Sequence, residues 1–132
     1  MSAGKGRKRG SNELLVEAQA GEDEALVRAR LVLRPTAQAA PTLKTYGTAF
    51  GDLDLTALME ALSEQTQATL DGDLHRAEAM LTAQAHSLYA IFHNLAKRAI
   101  NSDHIRQLDA YLRLSLRAQS QCRATWETLS TI

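Results

Sequence analysis

Leucine recurs every seven residues through the second half of the chain, and small or aromatic residues fill the gaps between the leucines. The positions are Leu74, Leu81, Ala85, Leu88, Phe92, Leu95 and Ala99. From Leu81 onward the steps alternate between four and three residues, and Leu74 lies one heptad earlier, so all of them fall on one face of a helix. No Gly or Pro interrupts this stretch, so local propensity agrees with the pattern. The sequence predicts a helix over 74–100, about 40 Å long at 1.5 Å per residue, with Asp73 as its N-cap.

A second apolar pattern follows the polar stretch 101–103, where Ser102 or Asp103 can cap a helix over about 103–130. Its predicted apolar face is Ile105, Leu108, Leu112, Ser115, Ala118, Cys122, Trp126 and Leu129, widened by Tyr111, Leu114 and Leu116. Helices of matched length joined by so short a turn pack antiparallel. The sequence therefore predicts a long hairpin. Its apolar stripes are wider than one neighbour covers, which calls for a third helix or a second copy of the chain.

Shorter helices are predicted upstream of the hairpin. Asp52 or Asp54 can cap a helix over about 55–70, whose apolar side makes it the predicted third member of a bundle. Asn12 can cap a helix over 13–20, and after Gly21 another helix over 23–33 is predicted to end at Pro35. One helix kinked at Gly21 is the alternative.

Residues 35–53 carry the weakest pattern in the chain. Pro41 suits the first turn of a short helix through Tyr46, and Gly47 and Gly51 indicate loop.

Together these patterns predict an all-α fold. It is a helical bundle built on a long antiparallel hairpin (about 74–100 and 103–130), with a third helix (about 55–70) and short N-terminal helices. Residues 12–132 are predicted to form a single helical domain. Residues 1–11, rich in Gly and basic residues, are predicted to be a disordered basic arm.

Composition narrows the class of protein further. Of the 132 residues, 45% are hydrophobic but only 5% aromatic, which suits an Ala- and Leu-rich helical protein. No apolar run approaches the roughly 18 residues of a membrane span. Cys122 is the only cysteine, so no internal disulfide can form, as is typical of a reducing cytoplasm. We expect a soluble, cytoplasmic protein.

Charge is balanced overall but uneven along the chain. The formal net charge is zero, so no overall field directs the protein to nucleic acid or membrane. Residues 1–12 carry +4, residues 13–34 sum to −2, residues 35–72 to −4 and residues 73–132 to +2. The candidate nucleic-acid contacts are therefore Lys5, Arg7, Lys8 and Arg9 of the arm, extended by Arg113 and Arg117 of the last helix. A solubilising tail and an ordinary solvated helix face are the alternative interpretations.

Histidines suggest a metal site, but their spacing argues against it. His75, His86 and His93 lie within about 20° of one another around the helix. They are also roughly 16 and 10 Å apart along its axis, so one ion cannot join them. We predict no metal, no cofactor and no small-molecule substrate.

Nucleophilic catalysis would require a base and an orienting acid beside Cys122 or a serine. Cys122 instead falls among Ala118, Trp126 and Leu129 on the predicted apolar face. An inert packed thiol is the simpler interpretation, and we predict that the protein is not an enzyme.

Two segments resemble a group of uncharacterised helical proteins from bacterial genomes and their prophage-like regions. They are LTAQAHSLYAIFHNLAKRA, from Leu81, and LSLRAQSQCRATWETL, from Leu114, and the resemblance covers roughly residues 45–132. It implies no established activity and no functional residue. The leading hypothesis is a non-enzymatic interaction or structural module, self-associating or binding a protein partner. The alternative is a nucleic-acid-binding accessory protein that uses the basic arm.

Overall fold

The computed structural model describes residues 7–132, and all regular secondary structure in that part of the chain is helical. They are α1 (Glu24–Leu33), α2 (Pro35–Tyr46), α3 (Leu55–Leu70), α4 (His75–Ile100) and α5 (Ile105–Thr131), with a short 3-10 turn at Thr48–Phe50. The predicted all-α class is confirmed. The chain divides into two compact units, the first ending at Asp71 and the second beginning at Gly72. The packing of helix 55–70 on the hairpin stays a prediction, as does the single domain over 12–132.

The second unit is the predicted hairpin. Helix α4 has 26 residues and α5 has 27, and the polar stretch 101–104 joins them. The residues that α4 and α5 bury most completely are small: Ala85, Ala99, Ser115 and Ala118. Small side chains let two helix backbones approach closely. The Cys122 thiol accordingly reaches the carbonyl oxygen of Ala85, with an Sγ to O distance of 3.4 Å.

The inner side of α5 differs from the predicted face. Tyr111 and Thr125 are half-buried, whereas Ile105, Leu112 and Trp126 are exposed. Ser115 and Ala118 lie on the line of closest approach to α4, and steps of three and four residues from them lead to 111 and 125. The predicted positions 112 and 126 fall one residue later. They therefore lie beside the seam between the helices.

The helix caps also differ from the prediction. The N-cap residues are Leu74 for α4 and His104 for α5, and neither side chain makes a capping hydrogen bond. Asp73 still serves the start of α4, because its carboxylate accepts from the backbone N–H of His75 at 3.1 Å. Ser102 serves the preceding helix instead, since its hydroxyl donates to the carbonyl oxygen of Arg98 at 2.7 Å.

The first unit is organised by α2 and α3, which pack together, and α1 packs on α2. The side chains buried by α2 and α3 are Thr36, Ala40, Thr56 and Met59. Of the two predicted caps of α3, the structure selects Asp54, whose carboxylate accepts from the backbone N–H of Ala57 at 2.9 Å. Asp23 caps α1 in the same way, so the predicted helix over 23–33 is confirmed.

Two predictions in the first unit are wrong. Residues 13–20 are not helical, because tertiary hydrogen bonds to α3 compete with the local helical pattern there. Helix α2 begins at Pro35, six residues before the predicted start, and Pro41 lies inside it. Proline at the first helical position loses no hydrogen bond. Pro35 therefore ends α1 and begins α2, while Arg34 between them is extended.

Candidate interaction surface

The hairpin leaves large hydrophobic side chains on both sides of its seam. One side, which we call the aromatic face, carries Tyr89, Leu112, Leu116 and Trp126, with exposed fractions from 43% to 58%. On the other side, the aliphatic face, Met80, Ile91 and Leu114 are 48–50% exposed. Exposed single hydrophobic residues are ordinary on protein surfaces, but contiguous ones indicate an interaction site.

Two contacts between aromatic rings lie on the aromatic face, one between α4 and α5 and one within α4. The imidazole of His86 meets the indole of Trp126 edge-on, with ring centroids 6.2 Å apart and planes at 80°. One turn along α4, Tyr89 and His93 make a similar contact at 4.4 Å. Leu112 and Leu116 lie within about 80° of Trp126 around α5 at 100° per residue. The α5 members of the aromatic face therefore lie on one side of that helix, and the contact of Trp126 with His86 extends that side to α4.

Part of this surface is visible from the sequence alone. The apolar pattern of α5 predicts extra width at Leu116 but places Leu112 and Trp126 in the seam. Tyr89 lies outside the predicted apolar faces. The available signal was the spacing of four residues between Tyr89 and His93, which places both side chains on the same side of α4.

The three histidines His75, His86 and His93 of α4 do not converge on one point. Within residues 7–132, no three side chains of His, Cys, Asp or Glu are grouped so that they could hold a metal ion. His75 pairs with Asp73, with 2.8 Å between the imidazole Nδ1 and the carboxylate. This hydrogen bond lowers the pKa of Asp73 and raises the pKa of His75.

Carboxylates pair with two arginines of the basic arm. Arg7 contacts Glu13 at 2.5 Å and Arg9 contacts Asp54 at 3.1 Å. The hydrogen bond from Arg7 is the main reason why the pKa of Glu13 is lowered. For Asp54, the backbone N–H of Ala57 is the main cause of a lowered pKa, and Arg9 adds to it. Two of the predicted nucleic-acid contacts are therefore balanced by acids of the same unit.

The remaining predicted contacts are scattered. Lys5 lies outside the described residues. Arg113 pairs with Asp109 one turn earlier on α5, at 2.8 Å. In the described part of the chain, Lys8 and Arg117 take part in no ion pair. The two lie in different units of the chain.

The first unit also contains an open groove of about 500 Å³ beside α1. Val16, Val27 and Leu31 supply its apolar lining. At its edge Glu22 and Arg30 face each other at 3.6 Å. The sequence alone does not reveal this groove, because the groove depends on the non-helical course of residues 13–20, which were predicted to be helical.

None of the helices in the described residues combines the length and apolar character needed to cross a membrane. Comparison with known proteins returns no match: no family model matches this chain, and neither does any curated protein or solved structure.

Proposed function

We propose that this protein is a non-enzymatic helical interaction module of a bacterial or phage-like genome, which self-associates in the cytoplasm through the hairpin α4–α5. One observation carries the proposal: the hairpin buries small side chains and leaves large ones exposed. Its fully buried hydrophobic residues are alanines, whereas Trp126, Tyr89 and Leu116 are each exposed by about half. Large apolar side chains that stay exposed in this way favour a partner that covers them.

The energetic scale supports association. Complete burial of one large hydrophobic side chain stabilises by about 1.5–3 kcal/mol. Trp and Tyr are also the residues that most often dominate interface energies. The aromatic face has one of each. Covering half-exposed side chains of this kind on two copies therefore supplies several kcal/mol towards association, and part of it offsets the entropy lost when two molecules bind.

Light scattering of the full chain from low to high micromolar concentration tests this function. We expect the mass to rise with concentration from the monomer value of 14.4 kDa towards twice that value. A strict monomer at high micromolar concentration would contradict self-association. Replacing the large side chains of the aromatic face with polar ones should abolish this concentration dependence of the mass and leave the helical content intact.

Nucleic-acid binding is the second candidate, and Lys8 and Arg117, which lack ion pairs among the described residues, favour it. Deleting residues 1–11 and titrating duplex DNA at two salt concentrations tests it. A phosphate-binding arm predicts weaker affinity after the deletion and a smaller salt dependence. Unchanged affinity, or no affinity in either form, would exclude a role of the arm.

A further inference from the structure

Helix α5 carries a second heptad stripe, offset around the helix from the seam that packs on α4. The stripe consists of Ile105, Asp109, Leu112, Leu116, Gln119, Arg123 and Trp126. Its members alternate in steps of four and three residues and fall within about 100° of the helix surface. Four of the seven members are large hydrophobic residues, and such residues at this spacing are typical of a helix that pairs with another helix. Two hydrophobic members of the stripe are largely exposed: Ile105 is 78% exposed and Leu116 is 58% exposed.

When the stripe is reversed about Leu116, its charged positions and its two apolar ends are complementary. In an antiparallel pair of α5 helices centred at Leu116, residues whose numbers add to 232 lie opposite each other. Asp109 and Arg123 satisfy this sum, so an acid meets a base. Ile105 comes within one residue of Trp126, so the most exposed aliphatic residue of the stripe meets the indole.

We propose that two copies of this chain pair their α5 helices antiparallel through this stripe, about a two-fold axis at Leu116. Leu116 then packs on Leu116 of the partner subunit, Ile105 on the partner's Trp126, and Asp109 forms an ion pair with the partner's Arg123. With α4 of each copy alongside, the assembly is a four-helix bundle. The inference rests on the proposed function, because it names the surface through which self-association occurs.

Two physical quantities favour a second copy as the occupant. First, the exposed parts of Ile105, Leu112, Leu116, Trp126 and Tyr89 offer on the order of 500 Å² per copy. Together with their polar neighbours, this approaches the ~800 Å² per partner of a stable interface. Second, a two-fold interface forms each charge pair twice from a single patch.

Asp109 and Arg123 can exchange their present partners for the new ion pairs. They currently pair within their own helix, Asp109 with Arg113 at 2.8 Å and Arg123 with Glu127 at 3.7 Å. All four side chains are 65–75% exposed. Such solvated pairs contribute little, so exchanging or sharing partners has a low cost.

Charge reversal tests the register directly. Asp109→Lys and Arg123→Glu each place like charges opposite each other twice, and each should raise the dissociation constant about tenfold or more. The double variant Asp109→Lys/Arg123→Glu restores opposite charges and should return the dissociation constant to within about threefold of wild type. Sedimentation equilibrium of the full chain measures all four proteins, and circular dichroism checks that each one is folded. A double variant no tighter than the single ones would overturn the proposed register.

A matched pair of leucines tests the face. Leu116→Glu buries a charge at the axis and should weaken association at least a hundredfold. Leu114→Glu makes the same change on the aliphatic face. Leu114 is 48% exposed, so the folded monomer should tolerate the charge there about as well as at Leu116. This variant should leave the dimer intact. Leu116→Gln is the milder variant if Leu116→Glu fails to fold. If Leu114→Glu alone dissociates the dimer, or if neither variant does, the chain self-associates but not through the stripe centred at Leu116.

Fluorescence of Trp126, the single tryptophan of the sequence, shows whether a second copy or the rest of the same chain covers the stripe. Covering Trp126 by a second copy shifts its emission to shorter wavelength as concentration rises. A wild-type monomer whose Trp126 is shielded at every concentration would mean that the chain covers the stripe itself. A monomer with a solvated Trp126 would remove both this inference and the proposed self-association.

Discussion

Thr56 holds the non-helical segment at Leu15 against the start of α3. The Thr56 hydroxyl accepts a hydrogen bond from the backbone N–H of Leu15 at 3.0 Å and donates one to the carbonyl oxygen of Glu13 at 2.9 Å. Its side chain is buried, with only 2% of the residue exposed. One hydroxyl thus satisfies a donor and an acceptor of a segment that forms no helix. The backbone N–H of Leu55 adds a third hydrogen bond, to the carbonyl oxygen of Ser11 at 2.8 Å.

Thr56→Val should release this segment. Both hydrogen bonds vanish while the side-chain shape is kept, so the free energy of unfolding should fall by about 1–3 kcal/mol. Amide hydrogen exchange at Leu15 should accelerate. Thr66→Val is the control, because the Thr66 hydroxyl only donates to the carbonyl oxygen of Leu62 in its own helix. Equal effects of the two substitutions on exchange at Leu15 would show that Thr56 does not anchor the segment.

Pro41→Ala should stabilise α2. Proline in a helix interior removes a backbone hydrogen bond and crowds the preceding turn, at a cost of about 3 kcal/mol. Replacing it should raise the free energy of unfolding by about 1–3 kcal/mol, as measured by urea denaturation. Pro35→Ala is the matched control, because Pro35 occupies the first helical position, where no hydrogen bond is lost. A gain for Pro35→Ala as large as that for Pro41→Ala would contradict this explanation.

Ala85→Leu should disrupt the hairpin seam. Ala85 is completely buried, and the Cys122 thiol contacts its carbonyl oxygen, so no space exists for three extra carbon atoms. Overpacking of this kind costs about 1–3 kcal/mol of stability. Ala90→Leu, on the exposed side of the same helix, should change stability little. Thermal unfolding of both variants makes the comparison, and an unaffected Ala85→Leu would mean that the helices are not so close.

The pair of Asp73 and His75 makes the start of α4 sensitive to pH. Because the pKa of His75 is raised, its contribution is fully present below the usual histidine pKa and is lost as the pH rises through the raised value. The pKa of Asp73 is lowered, so its contribution is lost as the pH falls through that lowered value. The pair therefore stabilises the start of α4 most at mildly acidic pH.

Asp73→Asn should lower the pKa of His75 towards its usual value, because the hydrogen bond to the carboxylate is the largest cause of the shift. Proton NMR titration of the imidazole Cε1 proton measures this directly. Asp71→Asn provides the control, because Asp71 accepts from the Gln67 side chain at 2.9 Å and does not touch His75. A similar change in both variants would point to overall charge, and the local hydrogen bond would not be its cause.

The sequence by itself determined α3, α4 and α5, because their signals are local. Each combines a regular apolar repeat with an uninterrupted run of good helix formers, and Asp54 provides the start of α3. The hairpin follows from two long helices and a short polar turn. The apolar width beside its seam was also visible from the leucines alone, and it is the basis of the proposed function.

Tertiary structure decided the features that depend on contacts distant in sequence. Residues 13–20 have a helical pattern, yet hydrogen bonds from Thr56, more than forty residues away, hold residues 13–15. On α5, the seam uses Tyr111 and Thr125, not Leu112 and Trp126, because the small residues Ser115 and Ala118 fix which side can approach α4 most closely. Hydrophobicity marks which residues can be buried, but the steric fit between two helices selects which of them are, and that fit exists only after the helices have met.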